Sequence, residues 1–330
     1  MNTTTISYDP QMKRILILTA VLASITVACG GSTPSNEPAA PKKLKFALLP
    51  KSLDIPVFNY ANLGAQRVAK ELGVEVIYRG PDTADPLKQK EVMESFITQK
   101  VDGIAISVTN AEFLKSTIDK AMDAGIPVVT WDSDAPTSKR IAFYGVDDFK
   151  AGQIMGEEAG KLLNGKGTVA FLTSLGANNL QRRLDGVQDA LKKYPGIKVV
   201  ETYDIKEDSV RCAELIATGS NRYPDLGAWI SVGGWPVFTQ RALDPVKPEK
   251  TKFISFDTVE AGPALLRSGK VQILLGQKYF GWGSESIKLL HDIVNGKKPA
   301  VQIIDSGVDV VTSKNLDEYL ALFKKMESGG

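Results

Sequence analysis

The sequence predicts an α/β protein built from two Rossmann-like lobes, each a parallel sheet flanked by helices. Three observations lead there. Short apolar, β-branched runs alternate with amphipathic stretches from Leu44 onwards, the pattern of βαβ units on a parallel sheet. That rhythm runs to Trp131 and restarts at Gly167, which implies two similar lobes whose likeness is architectural and not visible as a sequence repeat. Two of the runs also end alike. Ile126-Pro127-Val128-Val129-Thr130-Trp131-Asp132-Ser133-Asp134 and Lys252-Phe253-Ile254-Ser255-Phe256-Asp257 each deliver an aromatic residue and then a carboxylate. In an open parallel sheet ligands gather beyond the carboxyl ends of the strands, so Trp131, Asp132 and Asp257 belong at the mouth of a crevice.

Taken in order, Lys45 to Leu49 reads as the first strand. Asn62 to Leu72 is a helix with Leu63, Val68, Ala69 and Leu72 on one face, stopped by Gly73. A strand at Val74 to Tyr78, a helix at Pro86 to Gln99 and a strand at Gly103 to Ser107 follow. Ala111 to Ala124 is the next helix, with Gly125 as its stop signal, before the strand Val128 to Trp131. After Gly167 come a strand at Thr168 to Leu172, a helix at Leu180 to Lys193 and a strand at Lys198 to Tyr203. Asp208 to Ala217 is a helix, Ala228 to Val232 a strand, Pro236 to Leu243 a short helix and Phe253 to Phe256 a strand. The series closes with a helix at Val259 to Arg267, a strand at Val271 to Leu275 and a helix at Ser284 to Val294 ended by Asn295-Gly296.

With 330 residues, 43% apolar and 24% charged, the chain can bury sizeable cores in one large or two mid-sized domains. The formal charge of +2 is close to neutral, and Lys and Arg are scattered among Asp and Glu. Nothing in that balance points to nucleic acid.

The first residues follow the grammar of an export signal. Lys13-Arg14 precede the apolar stretch Ile15 to Ala28, which is short for a bilayer span and ends at small residues before Cys29. Either Met1 or Met12 serves as the start. Ala28-Cys29-Gly30-Gly31-Ser32 resembles a bacterial lipoprotein signal, in which Cys29 becomes the lipidated first residue; Thr26 departs from the usual aliphatic residue there, and an ordinary signal peptide with Cys29 incidental is the alternative. Gly30 to Pro41 holds no apolar residue larger than Ala and reads as a flexible tether. The remaining cysteine, Cys212, sits at apolar helix spacing with Val210, Leu215 and Ile216 and reads as a packed core thiol.

Missing motifs narrow the function. The chain has no Gly-x-Gly-x-x-Gly, no Gly-Lys-Ser/Thr phosphate loop and no Gly-x-Ser-x-Gly. Its one histidine, His291, lies on a helix among Leu289, Leu290 and Ile293, and one His with one thiol cannot assemble a metal site. No cofactor or catalytic residue is expected. A sugar receptor needs a different kit, because each hydroxyl both donates and accepts: carboxylates, amides, an Arg fork, and aromatic faces for the C–H surfaces. Asp132, Asp257, Asn178, Asn179, Arg183 and Gln277 supply the polar part, with Phe58, Trp131, Trp235 and Trp282 as aromatic partners. Trp235 is the strongest aromatic candidate, since it follows Gly233-Gly234 at a strand end.

These residues resemble the type 1 periplasmic sugar-binding proteins, the ribose-binding family of ABC transporter receptors, from Leu44 to about Lys325. Pro127-Val128-Val129-Thr130-Trp131-Asp132 looks like the family's strand ending in a ligand-binding Asp. Gln181-Arg182-Arg183-Leu184-Asp185-Gly186 is similar to its Arg-x-x-Gly turn of helix, which implies that Arg183 is a bidentate hydroxyl ligand. Phe253-Ile254-Ser255-Phe256-Asp257-Thr258 matches the second Asp motif, and Leu275-Gly276-Gln277 the hinge glutamine. Pro56-Val57-Phe58 matches only in part. The chain has Ser133-Asp134 where the ribose receptors place Arg, and Gly233-Gly234-Trp235 where they carry Asn-Asp. Leu49-Pro50-Lys51 together with Trp131-Asp132-Ser133-Asp134 is also similar to the receptor for a furanosyl quorum signal, which would make Lys51 and the Asp pair ligand contacts, although Asn178-Asn179 replace the Asp-Gln expected there and Lys51 reads equally as a rim lysine on the first loop.

The resemblance implies three chain crossings, near Val146-Asp147, Gln277-Lys278 and Asp305-Ser306. It divides the chain into a signal peptide at 1–28, a tether at 29–43, an N-terminal lobe of 44–146 with 278–305, and a C-terminal lobe of 147–277 with 306–330. The implied protein is a monomeric, lipid-anchored, extracytoplasmic receptor that presents a monosaccharide to a membrane permease. A quorum-signal receptor, a sugar sensor or chemoreceptor ligand carrier, a transcriptional regulator and a secreted hydrolase are the rivals. The regulator would need a helix-turn-helix headpiece that Gly30 to Lys43 cannot form, and the hydrolase lacks a nucleophile and base.

Overall fold

A computed structural model describes residues 43–238 and 241–329. The expected signal peptide, Cys29 and nearly all of the tether lie outside the described residues. The chain first lays down β1 (Lys45–Leu49), α1 (Val57–Leu72), β2 (Glu75–Tyr78), α2 (Pro86–Gln99), β3 (Gly103–Ile106), α3 (Ala111–Asp123), β4 (Val128–Trp131) and β5 (Ala142–Gly145). It continues through α4 (Asp148–Leu162), β6 (Lys166–Thr173), α5 (Asn178–Leu191), β7 (Gly196–Asp204), α6 (Ser209–Arg222), β8 (Ala228–Ser231), β9 (Lys252–Phe256), α7 (Gly262–Arg267) and β10 (Ile273–Gly276). The last part is α8 (Tyr279–Val294), β11 (Ile303–Asp305), β12 (Asp309–Val311) and α9 (Leu316–Ser328).

The strands form two sheets of six, in the orders β11-β5-β4-β3-β1-β2 and β12-β10-β9-β8-β6-β7. Each sheet thus repeats one design, five strands in the same winding order with a late strand added at one edge. All pairings are parallel except β10 with β12, which is antiparallel. β1, β3, β4, β8 and β10 are buried along nearly their whole length, as expected of strands covered by helices on both faces.

Local chemistry sets the element ends. Asp85 accepts from the backbone N–H of Leu87 and Lys88, and Pro86 opens α2, where a missing N–H costs nothing. Gly73 closes α1 in the left-handed conformation at φ 68°, its N–H donating back to the last turn. α1 begins at Val57, earlier than the periodicity suggests, because Val57 and Phe58 turn inward and are buried.

The stretch between Trp131 and Gly167 holds β5 and α4, which the hydrophobic pattern does not reveal. α4 meets α5 through Gly152, Gly156 and the facing Gly186, and a Cβ on Gly152 would stand 2.0 Å from the carbonyl oxygen of Arg183. Close backbone approach has replaced large apolar side chains on that face, so the amphipathic signal is weak. The contact matters for the site, because it carries Asp148 against Arg183. β11, β12 and α9 are likewise weakly marked in the sequence; β11 and β12 have three residues each, and Leu316 is the one buried residue of α9. A 3-10 turn at Trp235–Val237 stands where the short helix of Pro236 to Leu243 was expected to begin; among the described residues of that stretch there is no α-helix.

Candidate functional site

β4 ends in Trp131 and hands the chain to Asp132, which adopts a left-handed conformation at φ 57°. β9 ends in Phe256 and hands it to Asp257 at φ 72°. Non-glycine residues seldom adopt that conformation, and they do so where the surroundings over-determine it. Each turn is pinned: Asp132 N–H donates to Tyr144 O at 3.2 Å and Asp257 N–H to Leu275 O at 2.9 Å. Both aspartates line one cavity between the sheets, together with Lys51, Phe58, Asn179, Arg183, Glu207, Trp235, Gln277 and Trp282. The cavity has a volume of about 30 Å³, room for a water or two and less than a sugar fills.

The second-sheet side is a dense polar network. Gln277 Nε2 and Tyr279 OH both donate to Asp257 Oδ1, at 2.9 and 3.0 Å. Burial pushes the Asp257 carboxyl up to about 6, against the lowering pull of Gln277, Arg183 and Tyr279. Arg183 Nε donates to Asp148 Oδ1 at 2.8 Å, Nη1 to Val232 O at 3.2 Å and Nη2 to Gln277 Oε1 at 3.0 Å. Its guanidinium lies 3.9 Å from the centre of the Phe256 ring, a stacked cation. Burial pushes the Asp148 carboxyl up while the Arg183 charge pulls it back. Gly234 makes room for this arrangement, since a Cβ there would stand 2.2 Å from Asp257 Oδ2.

The first-sheet side is sparser and more aromatic. Asp132 Oδ2 accepts from Ser107 Oγ at 2.7 Å. Phe58 and Trp282 form the apolar wall with Ile55 and Val57. Lys51, on the loop after β1, reaches across to the other lobe, with Nζ 3.2 Å from Asn179 Oδ1 and 3.3 Å from Glu207 Oε1.

Three expected contacts stand elsewhere. Trp131 is fully buried and does not line the cavity; it packs behind Phe58 and Trp282, with ring centroids at 5.4 and 5.9 Å. A residue within a covered parallel strand faces a helix layer, and only the residue after the strand end reaches the crevice. Asp134 is committed to Arg140, which donates to both carboxylate oxygens at 2.6 Å, and to Thr130 Oγ1. It fixes the loop after β4. Asn178 opens α5 and lines a separate depression with Asp134, Asp147 and Arg182. Successive helix residues point about 100° apart, so Asn179 reaches the cavity and Asn178 does not.

Glu207, Ile55, Leu180 and Phe238 line the cavity without having been singled out. Glu207 lies in the charged stretch Asp204-Ile205-Lys206-Glu207-Asp208, which reads as a solvated turn; its burial follows from the left-handed conformations of Lys206 and Glu207, at φ 54° and 53°. Cys212 is a core thiol whose pKa burial raises. Among the described residues no cluster of His, Cys, Asp and Glu could hold a metal ion, and no helix is long and apolar enough to cross a membrane.

A family profile described as "Periplasmic binding protein domain" matches residues 46–298. An ABC transporter solute-binding protein of Burkholderia graminis, solved in complex with D-arabinose, superposes with a TM-score of 0.80 at 33% identity, over 84% of this chain and 97% of that one. A glucose-galactose binding protein of Geobacillus stearothermophilus superposes with a TM-score of 0.76 at 31% identity, over 83% of this chain and 99% of that one. The D-ribose/D-allose-binding protein of Pseudomonas aeruginosa is 26% identical over 92% of this chain and its own full length.

Proposed function

The chain belongs to the periplasmic binding protein domain family, and we propose that it is the solute-binding receptor of an ABC importer, capturing a monosaccharide between its lobes without altering it. One observation carries this reading: Asp132 and Asp257, from equivalent strand ends of two sheets, line the same cavity. Carboxylate, amide and guanidinium groups stand there with aromatic faces, the combination a pentose or hexose needs when it leaves water. Asp132, Asp257, Arg183, Gln277 and Asn179 are the proposed polar contacts, with Phe58, Trp235 and Trp282 against the C–H surfaces and Lys51 at the join between lobes.

The chain passes from the first sheet to the second after β5 and again after β11, and returns after β10. This supports a hinge of three segments, with the lobes of 44–146 plus 278–305 and 147–277 plus 306–330 moving as bodies. A ligand touching both lobes favours the closed state by its differential affinity for it, and the closed pair of lobe surfaces is what a permease would read. The proposed receptor works outside the cytoplasmic membrane as a monomer, tethered through lipid on Cys29. A second reading, a furanosyl quorum signal as guest, is favoured by Lys51 and Asp132 standing together at the cavity.

The test is calorimetric titration of the chain with D-arabinose, D-ribose, D-allose, D-xylose, D-glucose and D-galactose, with small-angle scattering in parallel. Saturable binding of at least one sugar and a smaller radius of gyration on saturation are expected. A chain that binds none of them and keeps its dimensions would refute the sugar reading.

A further inference from the structure

Glu207 lines the cavity from the loop after β7. Its backbone and that of Lys206 are successive non-glycine residues in the left-handed region, a conformation that persists only where the surroundings enforce it. The turn is anchored on both sides. Glu207 N–H donates to Ser174 Oγ at 2.5 Å, Asp204 Oδ1 accepts from the N–H of Leu175 and of Lys206, and Ile205 is fully buried. The turn thus drives an acidic side chain into a closed space, where burial raises its pKa.

Once there, the carboxylate is only half used. Oε1 accepts from Lys51 Nζ at 3.3 Å, while Oε2 is buried with no hydrogen-bond partner. Lys51 is its complement. An ammonium carries three N–H donors; Asn179 Oδ1 and Glu207 Oε1 take two, leaving a third. One spare donor and one spare acceptor therefore lie side by side in the cavity, on side chains that are 3% and 7% exposed. A hydroxyl, which accepts through its oxygen and donates its hydrogen, satisfies both at once. Lys51 already supplies the countercharge of Glu207, so the guest group need not be cationic.

We infer that Lys51 and Glu207 form a subsite for one hydroxyl of the ligand, which accepts from Lys51 Nζ and donates to Glu207 Oε2. Lys51 comes from the loop after β1 and Glu207 from the loop after β7, so the subsite exists only when the lobes are together. A sugar carrying a hydroxyl at that position completes closure. A sugar lacking it leaves a buried donor and a buried acceptor unpaired, and is rejected for that reason. The inference rests on the sugar reading and adds a specificity determinant to it.

The test titrates the full chain, Glu207→Gln and Lys51→Met with the tightest-binding of the six sugars named above and with each of its monodeoxy forms. In the wild type, one monodeoxy form should bind about 10- to 100-fold more weakly than the parent, the loss of a hydrogen bond to buried charged groups. In either variant that particular penalty should shrink to about 3-fold or less, while penalties for the other positions stay as they were. Melting of the ligand-free variants checks that each is folded. The inference is overturned if both variants weaken the parent and every monodeoxy form by the same factor, or if both bind all of them as the wild type does. A wild-type chain that binds none of the six defeats the sugar reading itself, and this subsite with it.

Discussion

Asp132 and Asp257 occupy matching places in the two sheets, each following the third strand in from the late-added edge. They share a left-handed backbone and near-complete burial. Their neighbours differ. Asp257 is held by Gln277 and, from the first-lobe helix α8, by Tyr279, beside an arginine that is itself tied to Asp148, Val232 and Gln277. Asp132 accepts from Ser107 and otherwise faces an aromatic wall. Duplicated topology fixes where a carboxylate stands, and the surrounding side chains fix how firmly. The second-sheet side therefore holds a prebuilt polar network, and the first-sheet side a carboxylate beside aromatic rings; in the proposed receptor the sugar would be held between the two.

The comparison is broken most readily at Arg183. Arg183→Ala would leave the Asp148 carboxylate buried without its partner and Gln277 without its acceptor role, a change of about 3–5 kcal/mol in stability by the usual cost of orphaning a buried charge. Chemical denaturation should show that loss, together with loss of sugar binding. A variant as stable as the wild type would mean that the second-lobe network is not a prebuilt unit.

A smaller effect sharpens it. The Asp257 carboxyl sits at about 6 when folded, against about 3.9 in an unfolded chain. The folded state holds that proton more tightly, so its contribution to stability is fully present below about pH 4 and is lost as pH rises through 6. Asp257→Asn should therefore melt a few degrees higher than the wild type at pH 7.5, and the advantage should disappear near pH 4. An equal difference at both pH values would show that the carboxyl does not titrate in this way.

Legibility in the sequence followed side-chain size. β1, α2 and β4 were readable to the residue, because large apolar groups, Pro86 and Asp85 mark them. α4 was not, since Gly152, Gly156 and Gly160 carry its contact face. Asp132, Asp257, Arg183 and Gln277 were readable from motifs at strand ends and on α5. Trp131, Asp134 and Asn178 share those motifs, and only three-dimensional placement separates them from the cavity: a strand-interior direction, a nearby Arg140, and a helical rotation between adjacent residues. Glu207 left no trace in composition, because a charged turn that folds inward has the same letters as one that stays in water.

The most direct test of a shared grip by the two lobes is calorimetric titration of Asp132→Ala and Asp257→Ala, separately, with the sugar that binds the wild-type chain. The account predicts that each substitution weakens binding about 100-fold or more, the cost of losing charged hydrogen bonds in a closed site, while both ligand-free variants stay folded. Wild-type affinity in either one would contradict it.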